Sequence, residues 1–133
     1  MNKTTVIAEA GVNHNGSLDL AYQLVDAASA AGADYVKFQT FVAERLVTRM
    51  AQKASYQARN TDNSGSQFEM LRSLELKPKF HRILADYSKK NNIQLLSTPF
   101  DIDSARFLVD EVGIDGASPR AHAYLNRPQK FPY

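Results

Sequence analysis

The sequence predicts an α/β fold with parallel strands. Short apolar, β-branched runs alternate with segments whose apolar residues recur at helical spacing, in the order β-α-β-insert-α-β-α. This alternation is typical of parallel sheets with right-handed crossover connections. Polar side chains also collect at the same end of each predicted strand, which is where parallel α/β folds form their binding sites.

The composition is that of a single globular domain. The chain has 133 residues, of which 44% are hydrophobic and 23% charged. A net charge of +2, spread along the chain, argues against a nucleic-acid partner. The absence of cysteine excludes disulfides and thiolate zinc sites and fits the cytoplasm. Neither a signal-peptide core nor a membrane-length apolar run is present, so a cytoplasmic protein without a membrane partner is predicted.

The first strand is predicted over residues 4–8, whose β-branched and small apolar side chains suit a strand covered on both faces. It ends in Glu9, and the loop that follows contains two glycines, two asparagines and a histidine. Such a loop is either a ligand site or a plain strand-to-helix turn, and both alternatives stay open. Ser17 is predicted to cap the next helix, and Gly32 to end it. The apolar stripe of that helix consists of Leu18, Ala21, Tyr22, Val25 and Ala28.

The second strand is predicted over residues 34–39. Lys37 and Gln39 alternate there with Val36 and Phe38, so two polar side chains share one face at the end of the strand. The alternative is an edge strand with a solvated face. Because helical segments on both sides would cover the strand, and burying an unpaired lysine is costly, a binding site is favoured.

A long mixed segment, residues 41–76, follows and is predicted to be functional or mobile, with a short helix over residues 67–74. The next helix begins at Pro78. Its buried face is predicted to consist of Phe80, Ile83, Leu84 and Tyr87. His81 lies off this stripe and is predicted to be a solvated surface histidine.

The third strand is predicted over residues 93–97 and leads into Thr98, Phe100 and Asp101. Asp101 is either part of a site or the cap of the following helix, which Gly113 closes. Because parallel strands bring their carboxyl ends together, the polar residues at the three strand ends predict a shared pocket. They are Glu9, Lys37, Gln39, Ser97 and Thr98.

Four motifs of the chain resemble the sialic acid synthase family (N-acetylneuraminate synthase and its relatives). In chain order they are IAEAGVNHNG at residues 7–16, GADYVKFQT at 32–40, LEL at 74–76 and STPFD at 97–101. The likeness covers about residues 4–113 and corresponds to the opening part of a family member. It implies about the first half of a (β/α)8 TIM-type barrel, since a complete barrel takes about 250 residues.

The resemblance also implies an activity. Family members condense phosphoenolpyruvate with an N-acetylated amino sugar such as N-acetylmannosamine, releasing phosphate and forming a nonulosonic acid. A divalent cation, manganese or magnesium, would polarise the sugar aldehyde. The family's metal-binding histidines would lie beyond Tyr133, so no metal ligand is expected in this chain, and His122 is not assigned that role. A homo-oligomer is expected, and the isolated chain is expected to be inactive.

Site residues follow from the matched motifs. The resemblance implies that Glu9 is catalytic and orients a water molecule or a neighbouring group. Lys37 would hold a phosphate or carboxylate charge, Gln39 would position an oxygen beside it, and Thr98 would donate to the same anion. The remaining implied substrate-binding residues are Asn13, His14, Phe100 as an apolar wall against the sugar, and Asp101 near its hydroxyls.

The likeness ends after Gly113. Residues 114–133 contain three prolines and no periodicity, which predicts an irregular tail beside a barrel portion spanning residues 1–113. Two alternatives remain: a small doubly wound module that binds a phosphorylated metabolite, and a non-catalytic half-barrel that works by pairing with another chain. The order of the strands distinguishes the doubly wound module from a barrel.

Overall fold

A computed structural model describes residues 3–54 and 64–114 of the chain, and the structural statements below concern those residues. Within them, three strands alternate with helices. The elements are β1 (Ile7–Gly11), α1 (Leu18–Ala30), β2 (Tyr35–Thr40), α2 (Ala43–Ala54), α3 (Ser64–Leu74), α4 (Pro78–Lys90), β3 (Gln94–Pro99) and α5 (Ile102–Arg106), which continues as a π-helical segment over Phe107–Val112.

The three strands form one parallel sheet in the order β1-β2-β3. Glu9 lies opposite Lys37, and Gln39 lies opposite Thr98. Strands that neighbour one another in chain order form the arc of a barrel, whereas a doubly wound sheet reorders its first strands. The observed order therefore favours the barrel over the doubly wound module.

The core lies between one face of this sheet and the helices. Val36 and Phe38 of β2 are buried there, and alternate residues of the same strand, Lys37 and Gln39, lie on the opposite face. The helical side of the core is supplied by Ala21, Val25, Ala28, Leu84 and Leu108. Lys37 and Gln39 thus lie on the face that the described helices leave uncovered, whereas Thr40 of the same strand is buried on the core face.

Helix α1 begins and ends where the sequence predicts. The hydroxyl of Ser17 accepts a hydrogen bond from the Leu20 N–H at 3.3 Å, satisfying a free amide of the first turn. Gly32 follows the helix with φ +77°, a left-handed conformation that glycine adopts without strain. The cap and the buried stripe together orient the loop that leads from β1 into this helix.

Strand β1 lies later in the chain than predicted. It pairs with β2 from Ile7 onward, and Val6 and Ile7 are 51% and 49% exposed. The prediction of a strand covered on both faces is therefore wrong for these residues. The reason is that β-branched residues indicate strand propensity, whereas the start of a strand depends on where its neighbour begins, here at Tyr35.

His81 is not the solvated surface residue that was predicted. It is 1% exposed, and together with Leu84 and Ser88 it forms the buried face of α4, whereas Ile83 is 39% exposed. Apolar spacing alone missed this face because two of its three buried residues are polar. His81 is tolerated there because both of its ring nitrogens have hydrogen-bond partners.

The segment between β2 and α4 is more helical than predicted. Helix α2 was not expected, and α3 extends the short helix that was predicted over residues 67–74. Residues 55–63 and 115–133, which include part of the polar segment and nearly all of the predicted irregular tail, lie outside the described residues. In the described ranges, every helix is too short or too polar to cross a membrane.

Candidate functional site

The closest charged pair among the predicted site residues joins neighbouring strands. Glu9 Oε2 lies 2.7 Å from Lys37 Nζ, and the two side chains are 52% and 34% exposed. Both residues lie on the sheet face opposite the core, because directly paired residues of adjacent strands point to the same side. A mutually neutralised pair of opposite charges therefore lies near the carboxyl edge of the sheet.

Gln39 belongs to the same group. A β-carbon added to Gly11 would lie 3.5 Å from Glu9 Oε1 and 3.8 Å from Gln39 Nε2, so both side chains lie close to this glycine. Gly11 has φ +55° and follows an irregularity in the β1–β2 pairing after Glu9. The local turn that glycine permits allows the carboxylate and the amide to approach each other.

Thr98 completes this group from β3, directly opposite Gln39 and half-buried. The structure thus brings Glu9, Lys37, Gln39 and Thr98 to one face and one edge of the sheet. One ammonium, one amide and one hydroxyl are donors suited to a phosphate or carboxylate, with a carboxylate beside them. We call this group the rim cluster.

The two predicted site residues in the loop after β1, Asn13 and His14, lie in different environments. Asn13 is exposed, and its backbone N–H donates to the Ala10 carbonyl at 3.1 Å. His14 is fully buried on the core side, with its ring 6.0 Å from that of Phe38. It lies apart from the rim cluster, so a direct contact between His14 and a ligand there stays a prediction.

His14 has a defined tautomer. Its Nδ1 accepts a hydrogen bond from the Gly16 N–H at 2.9 Å, so a neutral ring carries its proton on Nε2. That nitrogen is buried without a partner among the described residues. Burial lowers the pKa of His14, since the charged form would lose its hydration.

Phe100 and Asp101 follow β3 at the same edge. Phe100 is 38% exposed and meets the ring of Phe41 edge-on, with the centroids 5.8 Å apart. Asp101 caps α5, accepting from the Ser104 N–H at 2.7 Å. Of the two roles proposed for Asp101, the structure therefore contains the helix cap, and contact with a sugar stays a prediction.

Asp101 is also paired with Arg45, a residue that the sequence did not single out. Arg45 Nε lies 3.1 Å from Asp101 Oδ2. Desolvation acts to raise the pKa of Asp101, but the hydrogen bonds from Arg45 and Ser104 outweigh it and lower the pKa below its ordinary value. No local pattern could have revealed this pair, because its partners are far apart in the chain.

A buried chain of hydrogen bonds lies on the core side of the sheet, on the face opposite the rim cluster. Thr40 Oγ1 is 2.8 Å from His81 Nε2 and 2.6 Å from Ser97 Oγ, and His81 Nδ1 lies 3.1 Å from the Lys77 carbonyl. Since a carbonyl only accepts, neutral His81 is protonated on Nδ1, and Thr40 donates to its Nε2. Ser97 then donates to Thr40. Ser97 therefore faces the core, and its predicted place in the pocket is wrong.

A cavity of about 230 Å³ adjoins this buried chain. It is lined by residues from α2, α4 and α5, including Arg45, His81 and Phe107, and by none of the rim cluster. The polar side chains that line it are largely hydrogen-bonded within the protein, as Arg45, His81 and Ser104 illustrate. The predicted anion site and this cavity are thus on opposite faces of the sheet.

The described residues do not fit a metal centre. No three histidine, cysteine or acidic side chains in residues 3–54 and 64–114 are grouped as a metal ion would require. In the rim cluster the single carboxylate, Glu9, is paired with an ammonium group. The rim cluster accordingly contains the groups of an anion site rather than those of a cation site.

A chain-ordered parallel arc with a polar cluster at its carboxyl edge defines part of a barrel of the α/β enzyme type. Comparison with known protein families gives a specific assignment. The model of the NeuB family matches residues 24–116, more than half of the chain. The chain therefore belongs to the NeuB family, and the resemblance to sialic acid synthases noted in the sequence is confirmed.

Similar proteins support the same assignment. The chain is 50% identical over 114 residues to N,N'-diacetyllegionaminic acid synthase of Campylobacter jejuni, covering 86% of this chain and 34% of that protein. It is 31% identical over 103 residues to human N-acetylneuraminate-9-phosphate synthase, covering 77% of this chain and 28% of that protein. The chain thus spans about a third of the length of these relatives.

A solved structure confirms the fold class. The N-acetylneuraminic acid synthetase of Leptospira borgpetersenii, in complex with citrate, superimposes with a TM-score of 0.63 at 30% identity, covering 84% of this chain and 34% of that one. The predicted partial TIM-type barrel with parallel strands is therefore correct.

Proposed function

We propose that this chain forms the phosphoenolpyruvate-binding part of a nonulosonic acid synthase. The observation that carries the proposal is that Lys37 shares the uncovered sheet face of a NeuB-family chain with Gln39 and Thr98. Phosphoenolpyruvate carries a phosphate and a carboxylate, and these donors suit either group. The complete synthase would join its enol carbon to the carbonyl carbon of an N-acetylated amino sugar and release phosphate.

Each member of the rim cluster has a role in this proposal. Lys37 balances the charge of the anion, and Gln39 and Thr98 fix its orientation through hydrogen bonds. Glu9 orients the water molecule that adds to the carbon bearing the phosphate. Glu9 also supplies the counter-charge of Lys37 when no anion is bound.

Asn13 and Phe100 would extend the site towards the sugar. Asn13 is exposed beside the carboxyl end of β1, where its amide is free to reach a hydroxyl or an N-acetyl group. Phe100 presents part of its ring to solvent and would form an apolar wall. For His14, which is buried beside Phe38, we propose an indirect role in shaping the loop that carries Asn13.

The names of relatives that are 50% identical favour the amino sugar leading to N,N'-diacetyllegionaminic acid, with N-acetylmannosamine as the second candidate. The divalent cation implied by the resemblance would be bound by residues outside the described part of the chain. A homo-oligomer, as the resemblance implies, is part of the same proposal.

The decisive test is a chimera. In the Campylobacter jejuni synthase, the 114 matched residues would be replaced by those of this chain. We expect the chimera to release phosphate from phosphoenolpyruvate in the presence of manganese and the relative's amino sugar. Lys37→Ala should raise the KM for phosphoenolpyruvate by about 10- to 100-fold, the value of a lost charge-assisted hydrogen bond.

The matched control is Lys3→Ala, which removes an ammonium from the 83%-exposed side chain paired with Asp34. It should leave the KM unchanged. If the chimera is active and Lys37→Ala leaves its KM for phosphoenolpyruvate unchanged, Lys37 is not part of the site. The isolated chain should release little or no phosphate with phosphoenolpyruvate, N-acetylmannosamine and manganese, and brisk turnover would show that the arc suffices without the rest of the barrel.

A further inference from the structure

The carboxylate of Asp101 is fully occupied within the protein. Its Oδ1 accepts from the Ser104 N–H at 2.7 Å and from Arg45 Nη2 at 3.2 Å. Its Oδ2 accepts from Arg45 Nε at 3.1 Å and from the Ser104 hydroxyl at 3.1 Å. A carboxylate offers about four acceptor positions, so a sugar hydroxyl could bind only by displacing one of these donors.

We propose that Arg45 is a positioning residue. Its ion pair with Asp101 links helix α2 to the loop after β3 and thereby fixes the position of Phe100 at the carboxyl edge of the sheet. Asp101 then supports the site without touching substrate. The proposal gives α2, which belongs to the long segment after β2, a defined task. It rests on the proposed function for the identity of the molecule that Phe100 faces, but the fastening itself does not depend on that identity.

The geometry of the pair supports a positioning role. Two parallel N–H···O contacts join the guanidinium to the carboxylate, an arrangement that fixes orientation as well as distance. The Asp101 side chain is only 16% exposed, so solvent screens the pair less than it screens a surface ion pair. Arg45 also donates to the Ser104 hydroxyl, which ties it to the first turn of α5.

Phe100 makes two further contacts with the end of β2 and the residue that follows it. Its backbone N–H donates to the Thr40 carbonyl at 3.0 Å. Its ring meets that of Phe41 at an interplanar angle of 78°. Arg45, in the first turn of α2, follows Phe41 closely in the chain. The end of β2, the start of α2 and the loop after β3 therefore meet at Phe100 and Asp101. Loss of the ion pair would therefore loosen the Phe100 loop first.

Amide hydrogen exchange of the 133-residue chain, followed residue by residue by NMR, tests this prediction. Arg45→Ala should speed exchange of the Phe100 amide by about fivefold, the value of a partly exposed ion pair. Amides of the β1–β2–β3 ladder should keep their rates. Arg45→Lys should recover part of the protection, because an ammonium restores the charge but not the paired contacts.

Two controls separate the possible causes. Asp101→Asn retains an N-cap side chain but loses the charge, so it should reproduce the effect of Arg45→Ala. Lys3→Ala breaks the exposed pair with Asp34 beside β1 and should leave Phe100 unchanged. A uniform rise in exchange rates across the sheet would mean that Arg45 contributes only to global stability. An unchanged exchange rate of the Phe100 amide would mean that Arg45 does not fix the position of Phe100. Either result overturns the proposal.

Exchange is measured without substrate, so the two proposals can fail separately. If Arg45→Ala speeds exchange of the Phe100 amide but Lys37→Ala leaves the KM of the chimera unchanged, the positioning role of Arg45 is supported and the proposed function is wrong. The opposite pattern removes the positioning role and leaves the phosphoenolpyruvate site intact.

Discussion

Glu9 and Lys37 lie on adjacent strands with their charged atoms 2.7 Å apart, and both side chains remain partly exposed. The lysine therefore has a counter-charge before any ligand binds. An incoming anion gains the attraction of the ammonium but is repelled by the carboxylate beside it. Because Lys37 attracts the anion and Glu9 repels it, substitutions at the two positions should change anion affinity in opposite directions.

The first prediction is that Glu9→Gln makes the chain bind phosphoenolpyruvate more tightly, while the chimera turns over more slowly. Removing a like charge near the anion should lower the Kd about fivefold, the size of one close charge pair in a solvated site. Titration calorimetry measures the Kd, and phosphate release measures kcat. Glu44→Gln, an exposed change of equal charge on α2, is the control and should alter neither. Weaker binding would mean that Glu9 mainly holds Lys37 in place.

The second prediction concerns the buried chain behind the rim. Thr40→Val keeps the shape of the side chain but leaves His81 Nε2 and the Ser97 hydroxyl without their shared partner. The free energy of unfolding should fall by about 1–3 kcal/mol, the cost of unpaired buried polar groups. Urea unfolding measures the change.

The control for Thr40→Val is Thr48→Val. Thr48 is exposed on α2, and its hydroxyl donates to the Glu44 carbonyl of the same helix. This substitution should change the unfolding free energy by less than about 0.5 kcal/mol. Equal losses at both positions would show that the buried chain adds nothing beyond a local hydroxyl contact.

The third prediction compares two glycines with similar backbone angles. Gly16 and Gly32 have φ +74° and +77°, but a β-carbon at Gly16 would lie 2.7 Å from the Ser73 carbonyl oxygen, whereas one at Gly32 would have no neighbour within 4 Å. Gly32→Ala should cost about 1 kcal/mol from the left-handed conformation alone. Gly16→Ala should cost at least about 2 kcal/mol, because a backbone atom must also move. Thermal and urea unfolding of both variants would detect the difference, and similar losses would contradict the close contact.

The fourth prediction is a loss of stability in mild acid. Burial lowers the pKa of both His14 and His81 from the ordinary value of 6.5, and for His81 the hydrogen bonds to Lys77 and Pro78 oppose this while nearby His14 adds to it. Below pH 6.5 the unfolded chain binds protons that the folded chain does not, so the unfolding free energy falls as pH drops towards the folded pKa values. Above pH 6.5 both states are neutral at these positions, and these two histidines add no pH dependence.

Urea unfolding between pH 8 and pH 5 measures this trend, and NMR titration of the histidine rings gives the folded pKa values. His81→Gln should reduce the slope of stability against pH, because one of the two buried rings is gone. A slope that is unchanged in this variant would show that His81 is not the source.

The rim cluster was predictable because it follows from periodicity. Two-residue alternation puts Lys37 and Gln39 on one face, and parallel pairing delivers Thr98 beside them. The prediction for Ser97 is wrong because it rests on residue type alone, whereas alternation puts Ser97, paired with Phe38, on the core face. Residue type at a strand end thus indicates a site only when the alternation is counted together with it.

Other features depend on contacts that no local pattern encodes. Arg45 meets Asp101 across a long stretch of sequence, and His81 is buried because Thr40 and Lys77 provide its partners. A histidine among apolar helix residues looks the same in sequence whether it is buried or solvated. Tertiary partners decide between the two, and they become visible only in the structure.

The contact between Gly16 and the Ser73 carbonyl has a consequence for biosynthesis. The loop after β1 emerges from the ribosome before the end of α3 does, so it packs against the Ser73 carbonyl only after that later segment has been made. During translation, the turn that carries Asn13 and His14 therefore gains this contact only once the second half of the chain is being made. A pause in elongation between α1 and α3 would leave this edge of the protein unfinished and open to chaperones.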